Sequence, residues 1–253
     1  LADDPTGGCI CANIAGGCGE AGTNNLPQWD VRNISDFSSL FQDQGNFDQN
    51  LDGWVVDDVR TMNGMFRGCA AFTHDLNTWD TSRVTDMQAM FQYAGSFDGD
   101  INGWNTGAVT DMSFMFDGAN QFNKALSDWD TSAVTNMNSM FQSAFAFFGD
   151  VSRWNTAAVK DMGYMFNGVQ NFNQNVDSWN TGAVTDMSFM FENCEFFQGT
   201  LSQWDVSRVQ NFNNMFSGAT NANGPARWRQ SQRGRPELQF PAGGIPTGGQ
   251  SAR

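Results

Sequence analysis

Few residues in this sequence could carry out catalysis. His74 is the single histidine of 253 residues, and no serine, cysteine or pair of carboxylates stands in a pattern that would activate a nucleophile. Proton transfer near neutral pH most often uses histidine. His74 occupies a place where several equivalent segments carry other polar residues, so we interpret it as a surface substitution. We therefore predict that the protein is not an enzyme and has no catalytic residue, metal site or cofactor.

The cysteines suggest structural rather than catalytic chemistry. Three of the five are crowded near the N-terminus, which favours disulfides and an oxidising compartment. A zinc site is the alternative, but it needs a fourth ligand nearby, and His74 is distant in sequence. We expect disulfides to tie an N-terminal cap to the first units of the fold. The disulfide candidates are Cys9, Cys11, Cys18 and Cys69.

Tryptophan reveals the organisation of the chain, because it recurs every 25 residues without an insertion. Other apolar positions keep this register: an aliphatic residue three places before each tryptophan, valine or isoleucine five places after it, and a Met-Phe or Leu-Phe pair that begins eleven places after it. A register kept over eight copies predicts a solenoid in which each unit packs on the next. The eight tryptophans are Trp29, Trp54, Trp79, Trp104, Trp129, Trp154, Trp179 and Trp204.

Each unit is expected to contain one short strand and one short helix. Val84, Met87, Met90 and Phe91 have the spacing of one helical face, and threonines followed by Asp or Asn are typical of a helix start. Residues 76–79 are predicted as the strand, stacked on its counterparts at about 4.8 Å per unit. We predict that the eight tryptophans form one line inside the stack. The threonines are Thr85, Thr110, Thr135 and Thr185.

The same stacking predicts that Cys194 is a free thiol. Cys69 and Cys194 each stand 15 residues after a tryptophan, five units apart. At about 4.8 Å per unit their separation is about 24 Å, whereas a disulfide needs Cα atoms within about 7 Å. The two residues therefore cannot bond to each other within one chain.

The residues of one unit resemble the BspA-type surface-protein repeat, over roughly residues 26–220. This resemblance implies a leucine-rich-repeat-like coil and an adhesive or structural protein, secreted or at the cell surface. The expected fold class is thus α/β, a right-handed leucine-rich-repeat-like solenoid of eight 25-residue repeats. The motif that carries the resemblance is Phe97-x3-Ile101-x2-Trp104-Asn105-Thr106-x2-Val109-Thr110-Asp111-Met112-x2-Met115-Phe116.

Two polar columns follow the tryptophans. The residue directly after each tryptophan is mostly Asp or Asn, and no two adjacent units both carry Asp, which favours a hydrogen-bonding ladder over a calcium site. Weak Ca²⁺ binding by the acidic surface is still expected.

The second column is a threonine row, as ice-binding solenoids display. It is interrupted by Val31, Val56 and Val206, so ice binding is a minor alternative. The row is Thr81, Thr106, Thr131, Thr156 and Thr181.

Charge and composition divide the chain into three parts. We expect a cysteine-containing cap at residues 1–25, the repeat solenoid at 26–220 and an extended basic Pro/Gly-rich tail at 221–253. The net charge is −14, with +4 in the tail and −18 in the remainder. This balance argues against a nucleic-acid partner, and no apolar run is long enough to span a membrane. The sequence starts at Leu1 without a signal-peptide pattern, so we expect a processed chain.

The tail suggests how the protein functions. Its apolar and cationic residues are spaced for docking, and their charge complements an acidic solenoid. We predict a secreted or cell-surface assembly subunit, joined through the tail to other protein subunits, chiefly copies of itself, in a larger assembly or filament. In a second geometry the tail folds back over the last unit of its own solenoid as a cap. The alternative is a monomeric adhesin or ligand-binding module, which should expose irregular aromatic residues. Asn33 is a glycosylation candidate. The docking candidates are Arg227, Trp228, Arg229, Arg233, Arg235, Leu238, Phe240 and Ile245.

Overall fold

The computed structural model describes residue 26 and residues 29–219, and these form a stack of 25-residue coils. One residue in each coil pairs in parallel with its counterpart 25 places away, which confirms the repeat and its uninterrupted register. The parallel bridges join Asp36 to Thr61, Thr61 to Asp86, Asp86 to Asp111, Asp111 to Asn136, Asn136 to Asp161, Asp161 to Asp186, and Asp186 to Asn211. The coil of residues 85–109 represents the others below.

The first part of the coil, residues 85–93 and their equivalents, is called the turn side. The helix predicted here is not formed. The amides of Met87, Ala89, Phe91 and Tyr93 instead donate to carbonyls of the next coil at 2.7–3.1 Å. The intervening amides close four-residue turns; the Met90 amide, for example, donates to the Met87 carbonyl. These donors are therefore satisfied by tight turns and by the neighbouring coil rather than by a helix.

Backbone conformation on the turn side explains why a helix is excluded. Ala89 and Tyr93 have positive φ angles of 53° and 59°, and the equivalent residues of every other described coil are also left-handed. A left-handed residue closes a tight turn and breaks an α-helix. Glycine occupies several of these positions, including Gly64 and Gly118, and it adopts this conformation without steric cost.

The rest of the coil, residues 94–109 and their equivalents, is called the loop side and includes the tryptophan. The strand predicted at residues 76–79 is a turn, closed by the Trp79 amide on the Leu76 carbonyl at 3.1 Å. The Trp104 indole donates to that same carbonyl at 2.8 Å, from one coil to the preceding one. Among the described residues there is no α-helix and no strand longer than a single bridge residue.

The core consists of lines of stacked side chains that run along the solenoid. Neighbouring tryptophans from Trp79 to Trp204 have ring centroids 6.3–6.4 Å apart and interplanar angles of 4–6°, which confirms the predicted line over those six coils. A phenylalanine line from Phe41 to Phe216 stacks at 5.4–5.8 Å. The methionines from Met62 to Met190 are fully buried in the same core. One continuous core therefore runs through the coils.

Candidate functional site

His74 lies on the surface of the loop side, as its interpretation as a surface substitution requires. Its Nε2 atom is 3.1 Å from the Asp48 carbonyl oxygen and 3.3 Å from the Asp48 carboxylate. The same carboxylate accepts hydrogen bonds from the Thr73 amide and hydroxyl at 3.0 Å. The imidazole thus joins two neighbouring coils. Nothing in this contact set activates a nucleophile.

The acidic column after the tryptophans stabilises local turns. Asp80 accepts from the Ser82 amide at 2.9 Å, and Asn105 accepts from the Gly107 amide in the same way. The predicted hydrogen-bonding ladder between coils is therefore wrong, because these side chains bond to amides of their own coil. The Ser82 amide and hydroxyl lower the pKa of Asp80. The described residues contain no group of three or more His, Cys, Asp or Glu side chains placed to hold a metal ion.

The threonine row is inside the molecule. All five threonines are at most 1% exposed, and each hydroxyl donates to a carbonyl of the next coil, as Thr106 does to Asp130 at 2.9 Å. The hydroxyls meet these carbonyls only because coils stack closely, which the sequence of one unit does not reveal. A buried row cannot present a flat threonine face to ice. The premise of the ice-binding alternative is thus wrong for this row.

Both cysteines of the solenoid are free thiols. Cys194 is free as predicted. Cys69, one of the predicted disulfide candidates, instead fills a core position, where its thiol donates to the Phe41 carbonyl oxygen at 3.0 Å. Burial raises the pKa of Cys69 to about 12 and also raises that of Cys194, so neither thiol forms a reactive thiolate near neutral pH.

A second acidic line follows the bridge residues of the turn side, at the Asp and Asn positions predicted to begin the helix. Asp86 and Asp111 are bridged directly to each other, as are Asp161 and Asp186. Asparagines of neighbouring coils donate to these carboxylates at 3.0–3.2 Å; for example, Asn136 donates to Asp111. Amide donors offset part of the like-charge repulsion. The stacked carboxylates of this line are therefore accounted for by hydrogen bonds that join neighbouring coils.

Three exposed phenylalanines are the main departure from a polar surface. Phe145, Phe148 and Phe196 are 54%, 51% and 46% exposed, and all three lie on the loop side. Other coils carry small or polar residues at these places. We call these three residues the phenylalanine patch. A repeat search overlooks it because its members occupy different positions in their coils.

Charge is also distributed unevenly among the coils. Residues 29–219 carry 23 acidic and eight basic side chains, a net charge of −15. Between Lys160 and Arg208 there are six acids and no base. This segment includes Phe196, and the coil that carries Phe145 and Phe148 precedes it directly. The patch therefore lies in and next to a stretch of the solenoid that carries acidic side chains and no basic one.

The remaining predicted sites are only partly described. Asn33 is exposed and has a φ of 68°, a conformation that asparagine adopts more readily than most residues. The other disulfide candidates (Cys9, Cys11 and Cys18) and the eight tail residues named for docking lie outside the described residues. None of the described residues forms a helix with the length and apolar character of a membrane span.

The family model described as "Mycoplasma protein of unknown function, DUF285" matches the chain twice, over residues 11–129 and 110–228. The chain belongs to this family. The tandem DUF285 matches agree with the stacked coils, so this is a repeat protein. No curated protein matches the chain. Among solved structures, one chain of "Crystal structure of TLR13-ssRNA13 complex" is 14% identical, with a TM-score of 0.29 over 65% of this chain and 26% of that one.

Proposed function

We propose that this DUF285 protein is a non-enzymatic structural subunit, secreted or exposed at the cell surface, that assembles with copies of itself through its C-terminal tail. The observation that carries the proposal is charge complementarity. Residues 29–219 have a net charge of −15, while residues 221–253 contain five arginines and one glutamate. Opposite charges guide association and fix the register of a complex.

The described residues support a scaffold more than a chemical site. The polar side chains with potential for chemistry are mostly occupied in holding turns or joining coils, and the two solenoid thiols are buried. A continuous core of stacked rings favours a rigid rod, to which tails could attach in a head-to-tail series. Relationship to BspA-type repeats and a right-handed leucine-rich-repeat-like coil are further parts of the proposal. Weak Ca²⁺ binding by the acidic surface also stays a prediction.

Deletion of residues 225–253 tests the proposal. The intact protein should form large assemblies in size-exclusion chromatography with light scattering, and the deleted protein should be a folded monomer. As a second variant, Arg227, Arg229, Arg233 and Arg235 are changed together to Gln, and to Lys as the charge-preserving control. The Gln variant should disperse, and added salt should disperse the intact protein, because salt screens exposed charges. An intact protein that is monomeric at high concentration and low salt would contradict the proposal.

A monomeric adhesin or ligand-binding module is the second candidate. The phenylalanine patch favours it, because irregular exposed aromatic residues are typical of binding surfaces. The two candidate functions predict different oligomeric states for the intact protein. A monomer whose tail deletion changes nothing would favour the adhesin, whereas salt-sensitive assembly would favour the structural subunit.

A further inference from the structure

Phe148, a member of the phenylalanine patch, lacks the hydrogen bond to the next coil that several residues at its repeat position accept. Phe148 replaces a residue type that elsewhere joins coils: the carboxylate of Asp98 accepts the Asn123 amide at 2.8 Å, and the side chain of Asn173 accepts the Gln198 amide at the same distance. A phenylalanine ring cannot accept such a bond. The coil thus loses an acceptor for the next amide and exposes apolar surface to water. A residue that departs from the pattern of its repeat position without an evident gain in stability is typical of a functional site.

The three rings lie close enough to receive one extended segment. Phe145 and Phe148 are three residues apart in one coil, and the Phe145 ring leans toward the next coil, 3.8 Å from the position a Cβ on Gly168 would occupy. Phe196 is two coils away, which is about 10 Å at ~4.8 Å per coil. Its amide donates to the Gln170 carbonyl of the intervening coil at 3.1 Å. Polar residues of that coil separate the rings.

We propose that the phenylalanine patch is the docking surface for the C-terminal tail of a second copy, an inference that rests on the proposed assembly function. The tail supplies what the surface lacks: apolar side chains (Trp228, Leu238, Phe240 and Ile245) interleaved with arginines. The surface supplies carboxylates, such as Glu195 next to Phe196, in a segment without a basic residue. Arginine and aromatic side chains are the residue types enriched in the centres of protein interfaces.

The length of the tail is also sufficient. Thirty-four residues follow Ala219 in the sequence, and an extended chain spans roughly 3.3 Å per residue, so about 100 Å is within reach. The patch needs only a segment that crosses three coils. A tail of this length can leave the end of its own solenoid and still place several anchors on a neighbour.

Residues taken from equivalent coils provide the test. The triple variant Phe145→Gln, Phe148→Asn and Phe196→Asn uses the residues found at those places in the intervening coil. We expect it to be monomeric under conditions in which the intact protein assembles, with a melting temperature equal to or above that of the intact protein. Phe148→Asn alone should raise the melting temperature, since it restores the missing acceptor, and should weaken assembly at least several-fold.

The matched control is Tyr93→Asn. Tyr93 is 54% exposed like the patch residues, lies on the turn side, and has a counterpart, Asn193, in another coil. This variant should assemble like the intact protein. If the triple variant assembles normally while the tail deletion disperses, the docking surface is elsewhere and the proposed function stands. If Tyr93→Asn loses assembly as much as the triple variant does, the proposal that the patch is the docking surface is also overturned.

Crosslinking distinguishes docking of a neighbour's tail from docking of the chain's own tail. A photo-crosslinking residue replaces Trp228 in the full chain, and isotopically heavy and light proteins are mixed before illumination. We expect heavy-to-light crosslinks on peptides that contain Phe145, Phe148 or Phe196. Crosslinks to these peptides within single chains only would show that the tail covers its own solenoid and overturn the inference. Crosslinks confined to other peptides would overturn it as well.

Discussion

The two sides of each coil join to their neighbours by different means. On the turn side, five main-chain amides of residues 85–93 donate to adjacent coils. On the loop side, the principal main-chain bond between coils that recurs is that of the Ser96 amide and its equivalents, and side chains such as the Trp104 indole and the Thr106 hydroxyl supply further bonds. The turn side therefore depends on backbone conformation, whereas the loop side depends on particular side chains.

This difference explains which positions vary. The left-handed position of Ala89 and its equivalents is occupied by glycine, alanine, serine, asparagine or an aromatic residue in different coils. Its side chain can vary because the bond to the next coil is made by the main-chain amide. The indole bond, in contrast, is repeated from Trp54 to Trp204 at 2.8–3.1 Å. Substitutions on the loop side should consequently be more destructive than conservative changes on the turn side.

Trp129→Ala should have the largest effect. It removes a ring stacked 6.4 Å from each neighbouring tryptophan and the indole bond to the Ile101 carbonyl. The cavity should lower the free energy of unfolding by about 3–5 kcal/mol, measured by urea denaturation followed by circular dichroism. Phe148→Ala, on the same side but exposed, is the control and should change it by less than about 0.5 kcal/mol. Similar losses in both variants would contradict the stacked line.

Thr131→Val should have the next largest effect. The substitution keeps the side-chain shape but removes the hydroxyl that donates to the Asn155 carbonyl at 3.0 Å. The part-buried Asn155 carbonyl loses this hydrogen bond, which should cost about 1–2 kcal/mol. Thr110→Val is the control, because its hydroxyl also bonds to a neighbouring coil but is exposed to water. Its loss in the same denaturation assay should be clearly smaller; an equal loss would argue against the buried role.

On the turn side, Gly64→Ala and Ala89→Gly should change stability in opposite directions. Both residues occupy the same position in their coils, with φ of 61° and 53°. A left-handed alanine costs about 1 kcal/mol or slightly more relative to glycine. The nearest atom to an added Cβ on Gly64 is 3.5 Å away, so no clash obscures the effect. Melting temperatures should fall for the first variant and rise for the second; the same sign in both would contradict the left-handed turns.

Asp117→Asn should have the smallest effect, and one that depends on pH. Asp117 is buried on the turn side, where Gln92 donates to it at 2.8 Å, and burial raises the pKa of this carboxyl. A pKa raised by folding costs stability as pH increases through the folded value. The variant should therefore gain stability over the native protein at neutral pH, and the gain should disappear below about pH 3.9, the ordinary value for Asp. Melting curves between pH 3 and 8 measure this, and a constant difference would contradict it.

The sequence alone determined the period, the members of the core and the free state of Cys194. A 25-residue spacing without insertions leaves one way to align the coils, and large apolar side chains that recur in register must share one interior. Stacked rings such as Trp104 and Trp129 follow from that alignment. Properties repeated in every unit are readable from the sequence because each copy repeats the same information.

The tertiary structure decided where the main-chain hydrogen bonds go. The spacing of Val84, Met87, Met90 and Phe91 suits both a helix and a run of tight turns, because both place such residues on one side. The choice depends on amides that donate to the next coil, and these partners exist only after stacking. The glycines at Gly68 and Gly118 were the local signal against a helix, since glycine is costly in a helix interior.

Stacking also decided which polar residues are buried and which apolar residues are exposed. The hydroxyl of Thr106 is satisfied by a carbonyl 24 residues away, so a row that looks like a surface in sequence is part of the interior. Phe145, Phe148 and Phe196 resemble further core residues by type alone. Their places on the outside of the loop side are set by the path of the whole coil, which exposes three neighbouring repeat positions on one surface.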